Sequence, residues 1–264
     1  MSPRRRRVVV LALVLLLVVG VAVAVRTRSG DGPVVAAPQD RPGPVLLVPG
    51  YGGGTGGLER LAAALRASGR DAQVVAPIGD GRGDLTEQAA ALAAAATARI
   101  AAGAPSVDVV GYSAGGVVAR IFVDRFGGAA ITRRVVTLGS PHAGTDVARF
   151  GAVFAPGQCP TACRQLVPDS ELLAGLPPAS PGPRWVSVWT ADDEVVVPPS
   201  SGRLEGALDV RLQAVCPGVR IGHGGLPTDP LVQNLVLQAL GGPGLDAVPP
   251  PGRCAALRGP SVSS

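Results

Sequence analysis

The chain has 264 residues, a formal net charge of +5, four cysteines, two histidines and no lysine. That length suits one sizeable core, and nothing in the composition calls for a second. Six of the 24 basic residues precede residue 29 and no acid does, so residues 29–264 carry 18 basic against 19 acidic side chains, a net of −1. A domain with that balance is not a nucleic-acid binder by charge.

The N-terminus has the form of an export signal. Arg4 to Arg7 make a positive block, an apolar run extends from Val8 to Val25, and Arg26 and Arg28 close it. Two readings stand. A signal peptide would be cut near Ala22-Val23-Ala24, whereas a retained anchor would use residues 8–25 as a slightly short membrane span. Both put the remainder outside the cytoplasm, because the arginine block stays inside. The expected setting is secreted, or extracytoplasmic and membrane-anchored. Residues 1–28 are therefore set aside as leader, and the Pro- and Gly-rich residues 29–43 read as a linker. Residues 44–264 form the expected folded domain.

Val45 to Val48 is a short all-apolar run stopped by Pro49-Gly50, as for a strand buried on both faces of a parallel sheet. Leu58, Leu61, Ala62 and Leu65 then recur at helical spacing up to Gly69. Val74 to Ile78 reads as the next strand and Asp84 to Ala102 as a long Ala-rich helix. Val107 to Val110 is a strand, followed by a turn and a buried helix, and Arg134 to Leu138 is another strand. Periodicity lapses from Gly139 to Pro183, a stretch placed to roof an active site. Strands resume at Trp185 to Trp189 and Asp209 to Val215, and a last helix covers Pro230 to Leu240. Strands alternating with helices predict βαβ units in a mostly parallel central sheet flanked by helices, with a short cap segment.

The turn after the third strand is G-Y-S-A-G, Gly111 to Gly115. In a G-x-S-x-G elbow the serine sits in a strained conformation that lifts its Oγ clear of the sheet, and a Cβ two residues to either side would crowd the neighbouring strand and helix. The pentapeptide alone arises by chance in a chain rich in Gly, Ala and Ser. The strand before it and the helix after it give it weight, and Ser113 is the candidate nucleophile.

A serine hydroxyl needs a base to take its proton and a carboxylate to orient that base. Elbow enzymes place these in the order serine, acid, histidine. His223, in I-G-H-G-G-L after the last strand region, fits as base. His142, in L-G-S-P-H-A-G-T, leaves no room for an acid-bearing strand before it and reads as a brace for its loop. The acid should end a strand between Ser113 and His223, which points to Asp192-Asp193-Glu194 after Trp189. By order alone Asp192 and Asp193 are level, and the remaining carboxylates read as solvated loop charges. The oxyanion needs pre-aimed N–H donors, each worth about 3 kcal/mol in the barrier. Ala114, at the start of the helix, and Tyr51, in the Gly-rich loop Pro49 to Gly54, are the candidates. No G-K-[ST] follows that loop, so it is not a nucleotide site.

Four cysteines in an exported chain argue for two disulfides. Spacing favours Cys159–Cys163 across C-P-T-A-C, with Cys216–Cys254 closing a long C-terminal loop. Zinc is disfavoured because these spacings match no common zinc site.

Together these residues resemble the secreted triacylglycerol lipases of the α/β-hydrolase superfamily, especially the small bacterial lipases and the yeast lipase B group. The likeness runs from Pro44 to Leu240. It matches Gly111 to Gly115 to the family elbow and the P-G before Tyr51 to the oxyanion loop. The family acid loops A-T-D-E-I-V and S-A-D-M-I-V, laid without gaps on Ala191 to Val196, select Asp193 over Asp192. Ala214-Val215-Cys216 is similar to the A-V-C segment before the family's histidine, which supports His223 and a structural Cys216. L-G-S-P-H-A-G-T is common in these lipases, where its histidine is outside the triad. Residues 139–183 depart from the pattern, with no long amphipathic helix to serve as a lid, and no calcium cluster carries over.

The resemblance implies an α/β-hydrolase that cleaves carboxylic esters, triacylglycerols foremost, through an acyl-enzyme on Ser113, with His223 as base, Asp193 as its partner and Tyr51 and Ala114 as oxyanion donors, and a monomer is expected. No cofactor or metal is expected. The partners expected are an ester or lipid substrate, with membrane attachment through residues 8–25 as the anchor reading has it. The alternatives are a short-chain carboxylesterase or an acyltransferase on the same triad. A non-catalytic surface binding protein would show a broken triad, and no position is missing.

Overall fold

The computed structural model describes residues 36–259, so the apolar run at residues 8–25 lies outside the described residues. Among the described residues no helix is long and apolar enough to cross a membrane. The strands are β1 (Val45–Val48), β2 (Ala72–Val74), β3 (Val107–Tyr112), β4 (Thr132–Leu138), β5 (Arg184–Trp189) and β6 (Leu208–Arg211). The helices are α1 (Gly56–Ala67), α2 (Leu85–Ala101), α3 (Ala114–Arg125), α4 (Gly128–Ile131), α5 (Asp146–Phe154), α6 (Thr161–Gln165), α7 (Glu171–Ala174), α8 (Leu212–Val215), α9 (Pro230–Leu240) and α10 (Cys254–Arg258).

All six strands pair in parallel, in the order β2-β1-β3-β4-β5-β6. Parallel pairing needs a crossover after each strand, and the helices supply the cover that such a sheet requires on both faces. Strand residues alternate between the two cores. Val45, Leu47, Val110 and Val136 meet α1 and α9 through Leu58, Leu61, Leu65, Leu231 and Leu235. Leu46, Val48, Val109 and Val135 meet α2 and α3 through Leu85, Leu92, Val117, Ile121 and Phe122. Burial on both faces is why β1 carries apolar residues without polar alternation.

The chain folds against the body before β1. Ala37 is buried, the side chain of Gln39 donates to the Arg133 carbonyl, and Ser106 donates to the carbonyl of Arg41. Residues 37–41, within the stretch read as linker, are thus tied to the domain. The second expected strand, Val74 to Ile78, is shifted to Ala72–Val74. Val75 still donates to the Leu47 carbonyl, but Pro77 lacks an N–H and Gly79 and Gly81 adopt positive φ, so the chain turns. The expected strand Asp209 to Val215 ends at Arg211 and continues as α8, a turn that buries Leu212 and Val215 on one side. Between Gly139 and Pro183 the chain forms three short helices, α5 to α7, broken by Pro and Gly.

Both disulfides pair as the spacing favours, Cys159–Cys163 and Cys216–Cys254. The second spans a sequence separation of 38 and ties α10 to the end of α8. On loop entropy it stabilises the fold by roughly 4 kcal/mol. Reduction is expected to lower the melting temperature by several degrees while leaving the rate per molecule at low temperature within about twofold. Equal melting temperatures with and without reductant would contradict this.

Candidate active site

Ligand crevices in open parallel sheets lie beyond the carboxyl ends of the strands, where the strand order reverses. Here that point is between β1 and β3, and the Gly-rich loop after β1 meets the elbow after β3. Ser113 has φ 54° and ψ −127°, a conformation that costs a non-glycine residue about 1–3 kcal/mol. Its N–H donates to the Leu138 carbonyl at 2.8 Å and its carbonyl accepts from Gly116 at 3.0 Å. Both flanking glycines are sterically required. A Cβ on Gly111 would lie 2.6 Å from the Gly115 carbonyl oxygen, and one on Gly115 would strike the Val48 carbonyl. Gly50 is a third such place, since a Cβ there would sit 2.9 Å from Ser113 Cβ.

The side chains expected to act together lie in one hydrogen-bonded line. His223 Nε2 is 3.0 Å from Ser113 Oγ, and His223 Nδ1 is 2.8 Å from Asp193 Oδ2. A carboxylate only accepts, so the tautomer that donates from Nδ1 to Asp193 leaves Nε2 to accept from the serine hydroxyl. All three residues are buried. The other oxygen of Asp193 accepts from the N–H groups of Val195 and Val196, at 2.9 and 2.8 Å. Asp192 turns away, to Arg220 at 2.8 Å and to Gln213 at 3.1 Å. Backbone donors and a surface ion pair thus separate two residues that are level in sequence order.

Tyr51 lies in the loop after β1, whose Gly50 abuts Ser113, and Ala114 opens α3 directly after the serine. Gly52 donates to the Gly81 carbonyl and Gly53 to the Gly50 carbonyl, so the first loop is held by a turn and by the segment after β2. The Arg82 guanidinium lies 5.7 Å from the centre of the Tyr51 ring. Among the described residues no group of three or more His, Cys, Asp or Glu is placed to hold a metal ion.

Sequence reasoning missed several residues. Gly139, at positive φ, abuts the Asp193–His223 pair, and a Cβ there would lie 3.1 Å from Asp193 Oδ2 and 3.2 Å from His223 Nδ1. Tyr112 donates from its hydroxyl to the His223 carbonyl at 3.2 Å, and burial, with the charges of Asp193 and Glu194, pushes its phenol up to about 12. Glu194 accepts from the His223 N–H at 3.0 Å. The elbow position of Tyr112 and the adjacency of Glu194 to the acid were the available signals.

His142 lies outside this line. Its Nε2 is 3.0 Å from Thr137 Oγ1, and its carbonyl accepts from the buried Arg120, which also reaches the carbonyls of Leu176 and Pro177. It braces the loop after β4, as its position in the sequence led us to expect.

Residues 44–173 match the family model described as palmitoyl protein thioesterase. No curated protein matches the chain. Among solved structures it is similar to Aspergillus fumigatus lipase B, with 20% identity and a TM-score of 0.64 over 84% of this chain and 57% of that one. It is also similar to Bacillus licheniformis lipase BlEst2 in its mature form, with 17% identity and a TM-score of 0.60 over 79% of this chain and 96% of that one. A Listeria innocua gene product aligns with 15% identity and a TM-score of 0.54 over 78% of this chain and 96% of that one. The chain thus spans little more than half the length of the Aspergillus lipase. Identities this low speak for the fold alone, and the fold is that of the α/β-hydrolases.

Burial, and after it the charge of Arg120, holds the His142 imidazole well below the ordinary 6.5. The folded protein keeps it neutral while the unfolded chain binds a proton below about pH 6.5, so stability falls as pH drops through that value, by up to about 1.4 kcal/mol per unit. Urea midpoints from pH 7 to 5 should fall more steeply for the native chain than for His142→Gln. Parallel slopes would contradict the assignment.

Proposed function

We propose that this chain is a serine hydrolase that cleaves carboxylic esters of fatty acyl groups, acylglycerols foremost, through an acyl-enzyme on Ser113. The observation that carries the reading is the buried line from Ser113 Oγ through His223 to Asp193.

In this mechanism Ser113 Oγ attacks the ester carbonyl as its proton passes to His223 Nε2. The Asp193 carboxylate holds the imidazole in the required tautomer and stabilises the imidazolium that forms. The N–H groups of Tyr51 and Ala114 receive the oxyanion, and Ala114 brings the open N-terminus of α3 with it. The tetrahedral intermediate collapses, His223 gives its proton to the departing alkoxide, and the acyl group stays on Ser113. Water, deprotonated by the same imidazole, repeats the sequence and releases the acid. The chemistry needs no cofactor.

A fatty acyl group is favoured by what surrounds the site. The space beside the oxyanion loop, lined by Val48, Gly50, Leu85, Ala114 and Val118, measures about 10 Å³, enough for a water-sized group. That space does not take a long chain. Next to the acid loop, α5 exposes Val147, Phe150, Val153 and Phe154, with Phe150 65% and Phe154 70% accessible. This helix is joined to the acid loop, since Thr145 Oγ1 donates to the Val195 carbonyl and accepts from the Val197 N–H, and Asp146 donates to the Val197 carbonyl. The region read as lacking a long amphipathic helix holds this short one, Asp146–Phe154, and an exposed apolar strip of this kind marks a contact surface. The lipase structures named above, and the two disulfides, support an exported lipid-ester hydrolase.

A second reading follows from the thioesterase family model, whose match covers β1, the elbow and α5. It assigns an acyl thioester to the same site, with a thiolate leaving group that needs less help from His223.

The test is an assay of the protein beside its Ser113→Ala variant on esters from short soluble chains to emulsified long-chain triacylglycerols, with palmitoyl thioester in parallel. The account expects long-chain ester turnover that falls at least about a thousandfold in the variant. Activity limited to short esters would make it a carboxylesterase, preference for the thioester would favour the second reading, and transfer to an added alcohol would mark an acyltransferase. Unchanged hydrolysis by Ser113→Ala would overturn the assignment.

A further inference from the structure

A histidine ring is placed only as well as the backbone that carries it. His223 opens the short 3-10 turn His223–Gly225, where its N–H has no partner within the turn. That N–H donates to Glu194 Oε2 at 3.0 Å. The carbonyl of the same residue accepts from the Tyr112 hydroxyl at 3.2 Å, and the two rings lie 5.2 Å apart at 34°. Gly222 makes room for the carboxylate, because a Cβ there would lie 2.8 Å from Glu194 Oε2. Glu194 makes no ion pair among the described residues, so its alignment is not the by-product of a surface salt bridge. Each of the two residues is the chain neighbour of one member of the proposed triad, Tyr112 of Ser113 and Glu194 of Asp193, and each reaches across to the third.

We propose that Glu194 and Tyr112 are positioning residues that grip the main chain of His223 from both sides and so hold its ring between Asp193 and Ser113. The inference rests on the reading of His223 as base. A misplacement of about 1 Å at a reacting centre costs up to a hundredfold in rate, so a main-chain clamp of this kind acts on turnover rather than on substrate affinity. Glutamine at position 194 keeps an oxygen acceptor for the His223 N–H, whereas alanine removes it. Phenylalanine at 112 keeps the ring contact and loses the hydroxyl.

The experiment uses the full-length, disulfide-bonded protein and a fluorophosphonate driven to completion to count reactive serines, followed by turnover of a p-nitrophenyl ester per counted site. Glu194→Ala should lower kcat per site roughly tenfold with KM within about twofold, and Glu194→Gln should recover to within about threefold of the native rate. Tyr112→Phe should lose roughly fivefold in kcat. A merely structural cap would reduce the number of counted sites and leave kcat per site unchanged. A kcat per site within twofold for Glu194→Ala, or a glutamine no better than alanine, would overturn the proposal. Should Glu194→Ala yield no countable sites, a Tyr112→Phe rate within twofold of native would overturn it alone. Failure of the native protein to label at Ser113 is a separate result, and would remove the base assignment on which the clamp depends.

Discussion

The backbone of Ser113 is the constraint on which the rest depends. Its positive φ is held because β3 ends beside β4, which supplies the Leu138 carbonyl, and because α3 starts at once and supplies the Gly116 N–H. Those two bonds fix the turn from opposite sides, and the surrounding fold offsets its cost. The turn in turn dictates sequence. Gly111 lets the strand pass under the helix, Gly115 lets α3 approach β1, and Gly50 lets the loop after β1 close on the serine. One strained residue therefore accounts for three glycines on two separate segments.

The second half of the site is organised around His223, which stands 110 residues from Ser113 in the chain. It is brought there by β5 and β6, whose parallel register carries the acid loop and the histidine loop to the same edge of the sheet. Asp193 then has both oxygens committed, one to the imidazole and one to two N–H groups of its own loop. Behind the site, Arg120 gathers three carbonyls from the loop after β4 and the end of the cap segment. Burial lowers its guanidinium to about 10, still charged at neutral pH. Through its two terminal nitrogens this buried cation ties the elbow helix to both segments, while its Nε has no hydrogen-bond partner among the described residues.

Much of this was legible in the sequence where one physical signal dominated. The run Val45 to Val48 read as a buried strand because a parallel sheet covered on both faces tolerates little else, Val107 to Val110 read as a strand, and Pro230 to Leu240 read as a helix. The elbow and a histidine count of two singled out Ser113 and His223 as candidates, and the fold places their side chains 3.0 Å apart. Illegible parts were those decided by neighbours distant in sequence. Leu212 and Val215 suit a strand or a helix, and the nearby core selects the helix. Asp192 and Asp193 differ only in which backbone donors and which arginine they meet. Glu194 looks like a loop charge until Gly222 and the His223 N–H are placed against it.

The claim that tests the whole account is that Ser113 is a nucleophile activated by His223. Tryptic mapping after brief exposure to a fluorophosphonate addresses it directly, with the native chain compared with His223→Ala. The account predicts a single adduct on the peptide carrying Ser113, forming at least about a hundredfold more slowly in the variant. Labelling at another residue, or labelling of Ser113 at the same rate without His223, would contradict it.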